Sequence, residues 1–197
     1  MRTTDNRYRG ERARFELAMR MIGHEARTGT IRHLTGLSDD RIRKLYTSYF
    51  KFDAKLRIRR RRGKTPTQIA PLIRTPARTL ESGVFVNLLL ANGLVSTREP
   101  PGPPLRGNIE LGNRFCECYE THNRLIPRPS LSFEWAWNLM LTVRRGDEIG
   151  IARCDECMTT HLFDRLMLPR SACPACPTLR AVQPDQRDTG VKPAVYN

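Results

Sequence analysis

The chain has 197 residues, 39% of them apolar, and its 34 Lys and Arg outnumber its 20 Asp and Glu, so the formal net charge at pH 7 is +14. A field of this sign attracts polyanions such as DNA, RNA or an anionic membrane surface. The most apolar stretch, Val84 to Ala91, is much shorter than the ~20 residues of a membrane-spanning helix, and the charged N-terminus has no apolar signal core, so the sequence predicts a cytoplasmic protein without a membrane partner.

The N-terminal region shows one amphipathic pattern. Residues 1–10 carry charge without an apolar period, so we expect them to fray. After them, apolar residues recur at helical spacing, at Phe15, Ala18, Met19, Ile22 and Ala26. This pattern predicts a helix from about Glu11 to Arg27, which Thr28-Gly29 ends.

The next segment has the layout of a helix-turn-helix. A short helix carries Ile31 and Leu34, a turn contains Gly36, and Ser38 is a good N-cap for a third helix. In a helix-turn-helix the second helix often enters the major groove of DNA. An ordinary three-helix core with a solvated basic face has the same pattern, and the sequence leaves both interpretations open. The candidate nucleic-acid contacts on the third helix are Arg41, Arg43 and Lys44.

A dense basic run follows this helix. Eight of the fourteen residues from Lys51 to Lys64 are Lys or Arg. Each such side chain that engages a phosphate releases condensed counterions and strengthens binding without reading sequence. The alternative is a solvated loop or a membrane-surface patch. The candidate phosphate contacts of the run are Lys55, Arg57, Arg59, Arg60, Arg61, Arg62 and Lys64.

Two Pro-rich segments flank a buried helix in the middle of the chain. The segments Thr65 to Thr79 and Pro100 to Pro104 are predicted to be extended linkers. Between them, the apolar stretch Leu80 to Ala91 predicts a buried helix, and Asn92-Gly93 is a suitable C-terminal cap for it.

Two more helices and a short β region are predicted beyond the second linker. The first helix carries Leu111, Phe115, Cys118, Tyr119 and His122 at helical spacing. Ser130 can cap the next helix, which is expected to end near Val143. After Gly146 the pattern becomes short and β-like.

The apolar faces at Val84 to Leu90 and at Phe115 to Tyr119 are large for a chain of this composition. We expect them to exceed what the chain can cover, and an exposed patch of that kind commonly marks a protein interface. The alternative is that the two helices pack only against each other.

The strongest motif is a pair of CxxC sequences, Cys154-Asp-Glu-Cys157 and Cys173-Pro-Ala-Cys176, which are separated by fifteen residues. Two such turns place four thiolates at the corners of a tetrahedron, which suits Zn²⁺ with Zn–S distances of about 2.3 Å. Four protein ligands leave no open position, so we expect one structural zinc per chain. Free cysteines or two disulfides are the alternative, and His161 between the pairs is either a substitute ligand or, as we expect, a solvated or nucleic-acid-facing side chain.

No catalytic constellation stands out elsewhere in the chain. Cys116 and Cys118 are two residues apart on a predicted helix and face different ways, so we expect a core Cys118 and a half-exposed Cys116 in preference to a redox pair or a second metal site. The four histidines are scattered, and no Ser-His-Asp arrangement, HExxH, P-loop or GxGxxG is present. We therefore expect a protein that is not an enzyme.

The order of these features resembles one known family. The chain carries LTGLSDDRIRKLY at Leu34 to Tyr46, RG-x-TP at Arg62 to Pro66, and AWNLM at Ala136 to Met140, followed by CDEC and CPAC. This series is similar to the flagellar transcriptional activator FlhC. The stretch after the RG junction is shorter than in that family and lacks its KG-x-LPFS sequence.

The resemblance implies a partner and a function. It implies that an FlhD-like protein joins the chain in a hetero-oligomer, which binds double-stranded promoter DNA and recruits RNA polymerase to flagellar genes. It also implies that the family's zinc ligands correspond to Cys154, Cys157, Cys173 and Cys176. A zinc-ribbon RNA-binding or ribosome-associated protein is the alternative function.

Together these observations predict a mainly α fold, with a helix-turn-helix-like N-terminal helical domain and a C-terminal zinc-ribbon-like element. The helical N-terminal region with the basic run covers residues 1–64, and the Pro-rich crossover with the second helical layer covers residues 65–146. The zinc-binding element covers residues 147–180. Residues 181–197 are polar and are predicted to form a disordered tail.

Overall fold

The computed structural model describes residues 3–52, 58–61, 63, 65–96, 104–167 and 173–176. This part of the chain is mainly helical, as predicted, and carries one small antiparallel sheet near its C-terminal end. The predicted tail at 181–197 lies outside the described residues, as do Pro100, Pro101 and Pro103. The elements are α1 (Thr3–Gly23), α2 (Thr28–Thr35), α3 (Asp39–Tyr49), α4 (Ala70–Ile73), α5 (Pro76–Ala91), α6 (Ile109–Leu125), α7 (Phe133–Arg145), β1 (Ile149–Arg153) and β2 (Thr160–Asp164).

The first helix begins and ends earlier than its sequence pattern predicts. It includes residues 3–10, which lie before the predicted start at Glu11. It ends at Gly23. The backbone N–H groups of His24 and Glu25 then donate hydrogen bonds to carbonyls of the last helical turn, and the chain reverses direction there. Thr28-Gly29, predicted to end α1, instead opens α2.

The connection between α2 and α3 is short and well capped. Gly36 adopts a left-handed φ of 71° at the end of α2, a conformation that glycine reaches without a Cβ penalty. The hydroxyl of Ser38 accepts the Arg41 N–H at 3.4 Å, which confirms its predicted N-cap role. Leu37 is buried between the two helices' ends. The turn therefore holds α3 at a defined angle to α2.

The first predicted linker contains helical structure. Residues 70–73 form α4, and α5 begins at Pro76, so the prediction of an extended segment from Thr65 to Thr79 is wrong in its second half. Proline is well tolerated in the first turn of a helix, where its missing N–H would have had no partner in any case. The Thr75 hydroxyl caps α5 by accepting the Arg78 N–H at 3.3 Å.

An aromatic cluster forms the centre of the core. Phe115 of α6 contacts Phe85 of α5 edge to face, with a distance of 6.0 Å between ring centroids. It makes the same kind of contact with two rings of α7, at 5.2 Å to Phe133 and 5.3 Å to Trp137. Such pairs contribute beyond the area they bury. The α5 and α6 faces that were expected to stay exposed therefore cover each other and α7, and Phe85 and Phe115 have no exposed surface.

The start of α7 differs from its prediction. The N-cap residue is Ser132, whereas Ser130 donates its hydroxyl and its N–H to the carboxylate of Glu81 on α5. Glu81 also accepts the Leu131 N–H at 3.1 Å. This carboxylate thereby fastens the segment before α7 to α5. The helix itself continues to Arg145, two residues beyond the predicted end.

Buried Glu134 connects α7 to the start of α2. Its side chain lies in the first turn of α7 and is 3% exposed. One oxygen accepts the N–H of Arg27, the N-cap residue of α2, at 2.7 Å, and the other accepts the Thr30 hydroxyl at 3.0 Å. A buried carboxylate requires such donors, and the dipoles of both helices favour negative charge at their N-termini.

The β1–β2 hairpin packs its inner face against α5 and α7. Its strands pair with Ile149 opposite Asp164 and Arg153 opposite Thr160. Gly150 lies under the ring of Phe163, and a Cβ there would be 2.2 Å from that ring, so a larger residue would force the ring to move. His161 is 8% exposed against α5 and Gly83, so the expectation of a solvated or nucleic-acid-facing His161 is wrong. No helix of the described ranges is long and apolar enough to cross a bilayer.

The aromatic cluster predicts a large stability effect at one position. Phe115→Ala should lower the free energy of unfolding by about 3–5 kcal/mol, because it removes a fully buried ring and leaves a cavity between three helices. The matched change Phe52→Ala, at a side chain that is 78% exposed, should shift it by less than about 0.5 kcal/mol. Urea denaturation followed by circular dichroism measures both, and equal effects would contradict the core described above.

Candidate metal centre and nucleic-acid interface

The four cysteines of the CxxC motifs come together beside the hairpin. Their Sγ atoms all lie within 4.8 Å of one another. Two contacts cross between the motifs, with 3.5 Å from Cys154 to Cys176 and 3.6 Å from Cys157 to Cys173. All four side chains are partly buried and none is in a disulfide. The predicted cluster is confirmed as a site that can hold a metal ion.

The hairpin turn fixes the first pair of thiols. The Cys154 N–H donates to the Thr159 carbonyl at 3.0 Å, and the Met158 N–H donates back to the Cys154 carbonyl at 2.9 Å. Met158 takes a left-handed φ of 59°, which few residues other than glycine adopt. The turn folds tightly enough for Cys154 and Cys157 to face the same point.

The geometry of the cluster fits a tetrahedral ion with four sulfur ligands. A metal with bonds of about 2.3 Å to four sulfurs separates neighbouring sulfurs by about 3.8 Å. The Sγ separations of 3.5 and 3.6 Å between the motifs, with all four atoms within 4.8 Å of one another, are compatible with that distance. His161 is not a member of the group in the described residues. Four thiolates fill the coordination sphere and leave no position for substrate.

The thiols of the cluster influence one another's ionisation. Hydrogen bonds from the side chain and backbone of Thr159 lower the pKa of Cys157 to about 6, and the neighbouring thiols contribute less. The pKa of Cys173 is raised, chiefly by burial, and that of Cys176 is raised because Cys154 and Cys157 hold its proton. Metal ions bind deprotonated thiols, so loading of this site releases protons.

The remaining two cysteines belong to the core. Both Cys116 and Cys118 are buried, so the expectation of a half-exposed Cys116 is wrong. Burial raises the pKa of Cys116 to about 12 and that of Cys118 to about 11. The Cys118 thiol lies 3.5 Å from the Leu88 carbonyl of α5. Protonated, enclosed thiols of this kind are poor nucleophiles and poor ligands.

The basic side chains of α3 face solvent. Arg41 pairs with Glu11 of α1 at 2.9 Å and Arg43 pairs with Asp40 at 2.6 Å, and both guanidinium side chains are more than half exposed. Lys44 is also exposed, and no acidic partner is seen for it in the described part of the chain. Exposed ion pairs contribute little stability, so these cations can exchange their acidic partners for a phosphate.

The described part of the basic run is held against the end of α1. Glu25 accepts the Arg59 N–H at 3.3 Å and the Arg61 guanidinium at 2.8 Å. The side chain of Arg59 is exposed, and that of Arg60 is half-buried. The other four predicted contacts of the run, Lys55, Arg57, Arg62 and Lys64, lie outside the described residues.

The fold also forms a cavity that the sequence did not indicate. It measures about 350 Å³ and lies where the turn after α1, the side of α6 and the first turn of α7 meet. Its lining includes His24, Glu25, Tyr119 and Glu134, which are separated by up to 110 positions in the chain. No local motif signals such an assembly, because the groups meet only through tertiary packing.

Comparison with known proteins does not place this chain in a family. No protein-family model matches it, and no curated protein matches it.

The cysteine cluster predicts a metal stoichiometry. The purified, reduced protein should contain one metal ion per chain, and Cys154→Ser or Cys176→Ser should remove most of it because three thiolates hold the ion less tightly. Elemental mass spectrometry after exhaustive desalting measures this. Cys116→Ala is the matched control, since it removes a buried thiol that is outside the cluster and should leave the metal content unchanged. Full metal occupancy in both cluster variants would contradict the assignment.

Proposed function

We propose that this protein is a zinc-stabilised, DNA-binding regulatory subunit and not an enzyme. The observation that supports this function most directly is the capped α2–α3 turn, which presents the basic side chains of α3 to solvent. A short, rigid connection between two helices, with the second helix exposed, matches the requirement for inserting that helix into a major groove.

The arginines of α3 can exchange their acidic partners for DNA phosphates, which supports DNA as the ligand. In the free protein Arg41 forms an ion pair with Glu11. Arg43 forms one with Asp40. A duplex offers a phosphate roughly every 1.7 Å along its axis, and guanidinium groups bind phosphate in two-pronged geometry. The net charge of +14 adds attraction from a distance.

Zinc is the metal that best fits the cysteine cluster. Four thiolates in tetrahedral arrangement suit Zn²⁺, which has no redox chemistry of its own in such a site. Its role would be structural, because the hairpin and the second CxxC turn are too small to form a core of their own. The metal would hold residues 173–176 against the hairpin.

The resemblance to the FlhC family supplies the cellular role that we propose. In that role the chain acts in the cytoplasm, joins an FlhD-like protein in a hetero-oligomer and activates flagellar genes through RNA polymerase. The segment LTGLSDDRIRKLY, which carries much of the resemblance, coincides with the end of α2, the capped turn and most of α3. This coincidence supports the proposal, because the segment is where an exposed recognition helix is expected.

The first prediction from this proposal concerns the α3 face. The double variant Arg43→Ala/Lys44→Ala should weaken duplex binding and make the slope of log K against log salt shallower by about 1.8, or about 0.9 for each lost phosphate contact. Fluorescence anisotropy over a range of salt concentrations measures the slope. Arg124→Ala/Arg128→Ala, at two exposed positions around the end of α6, is the matched control with the same charge loss.

An equal change of slope in both double variants would show that only net charge matters. A structured RNA that competes better than any duplex would favour the RNA-binding alternative instead.

The second prediction concerns the partner. Because α5 and α6 cover each other's apolar faces, the isolated chain should fold and should bind duplex DNA weakly and without sequence preference. Specific binding to a flagellar promoter should require an FlhD-like protein, and the two should elute together in size-exclusion chromatography. An isolated chain that discriminates that promoter from random duplex by more than about tenfold would contradict this arrangement.

A further inference from the structure

The cavity beside α7 is lined by both aromatic and cationic residues. Its lining includes the partly exposed Trp135, the buried Tyr119 and Phe133, and the arginines Arg27 and Arg61. Its volume of about 350 Å³ is at the lower end of the range for small-molecule sites. Rings beside cations suit a ligand that has both a planar apolar part and an acidic group.

The acidic side chains of the cavity already have donors. Glu134 accepts the Arg27 N–H and the Thr30 hydroxyl, and Glu25 accepts the Arg59 N–H and the Arg61 guanidinium. The imidazole of His24 is bonded to Glu120 outside the cavity lining at 2.8 Å. The lining acids therefore need no cation from a ligand.

Glu25 occupies one binding edge of the Arg61 guanidinium. Arg61 directs its Nε and Nη2 atoms to Glu25, and a carboxylate or phosphate can bind two N–H groups of this kind in two-pronged geometry. Its side chain is 54% exposed, so the exchange of one carboxylate for another requires little desolvation. A ligand with an acidic group can pair with Arg61 at the cavity mouth.

Glu25 competes with an added anion for the Arg61 guanidinium. It has a φ of 58° in the turn after α1, and that turn places its carboxylate against residues 59–61. The carboxylate is the observed partner of the Arg61 guanidinium. An incoming acid that binds the same Nε and Nη2 groups displaces it, and that displacement also loosens the bond between Glu25 and the Arg59 backbone.

We propose that the cavity binds a small organic anion with a planar ring and a carboxylate or phosphate group, which replaces Glu25 as the partner of Arg61. The ring lies against the partly exposed Trp135. Because Glu25 holds part of the basic run, the bound anion also changes how that run meets DNA. This last consequence rests on the DNA-binding function proposed above, whereas the binding of the anion does not.

Isothermal titration of the full-length, metal-loaded chain tests the site without DNA. Phenyl phosphate and benzoate are the probes, and they distinguish a phosphate from a carboxylate group. Benzylamine has the same ring with the opposite charge, and inorganic phosphate has no ring. At least one of the two ring anions should bind with a Kd below about 1 mM, and both controls should bind at least about tenfold more weakly.

Three variants locate the binding. Arg61→Ala should weaken the preferred ring anion at least about tenfold, as expected when a charge-assisted pair is lost. Arg59→Ala should leave its affinity within about twofold, because only the backbone of Arg59 contacts Glu25. Glu25→Gln should tighten binding, because it removes the competing charge. Damage to the fold is not expected to tighten anion binding. Glu25→Gln therefore tests the proposed site even if Arg61→Ala misfolds.

Four results would overturn the proposal: neither ring anion binds, benzylamine or inorganic phosphate binds as well as the ring anions, Arg59→Ala and Arg61→Ala lose affinity equally, or Glu25→Gln does not tighten binding. Duplex binding is then measured with and without the saturating anion. Anion binding with unchanged duplex affinity would refute the proposed effect of the anion on DNA binding by the basic run. It would not contradict the anion site itself. A chain that binds the anion but no DNA would refute the proposed function alone.

Discussion

The buried carboxylate of Glu134 is the contact on which the arrangement of this fold depends. An ion with 3% exposure requires donors, and Glu134 obtains them from Arg27 and Thr30 at the start of α2. The N-termini of α2 and α7 are thereby held at one point, and both helix dipoles favour the charge located there. This contact, together with the apolar packing of α2 against α1 and α6, sets the position of α2 relative to the aromatic core and, through the capped turn, the position of α3.

Both proposed binding surfaces adjoin elements that this junction holds. The turn at Gly36 carries α3 outward, so that its basic groups reach solvent without disturbing the core. The cavity opens between the turn after α1 and the first turn of α7. Glu25 belongs to the cavity and also holds Arg61 of the basic run. This shared residue gives a physical route by which a bound anion can affect a nucleic-acid surface.

Local patterns predicted the features that depend on neighbouring residues. The N-cap at Ser38, the periodic helices α6 and α7, and the paired CxxC motifs each follow from a few consecutive side chains. The errors arise where distant residues decide the outcome. His161 and Cys116 are buried because α5 and the core cover them, and Ser130 binds Glu81 from 49 positions away and so does not cap α7. No local signal distinguishes Glu134 from any other first-turn acid.

We propose that the exposed face of α3 lies against duplex DNA. A photo-crosslinking amino acid at Thr47, an exposed position on α3, tests it most directly, with the same amino acid at exposed Arg78 of α5 as the reference. Irradiation with labelled duplex, in the presence of the partner protein, should give protein–DNA adducts from position 47 and few from position 78. Equal yields, or adducts only from position 78, would contradict the assignment of α3 as the DNA-facing helix.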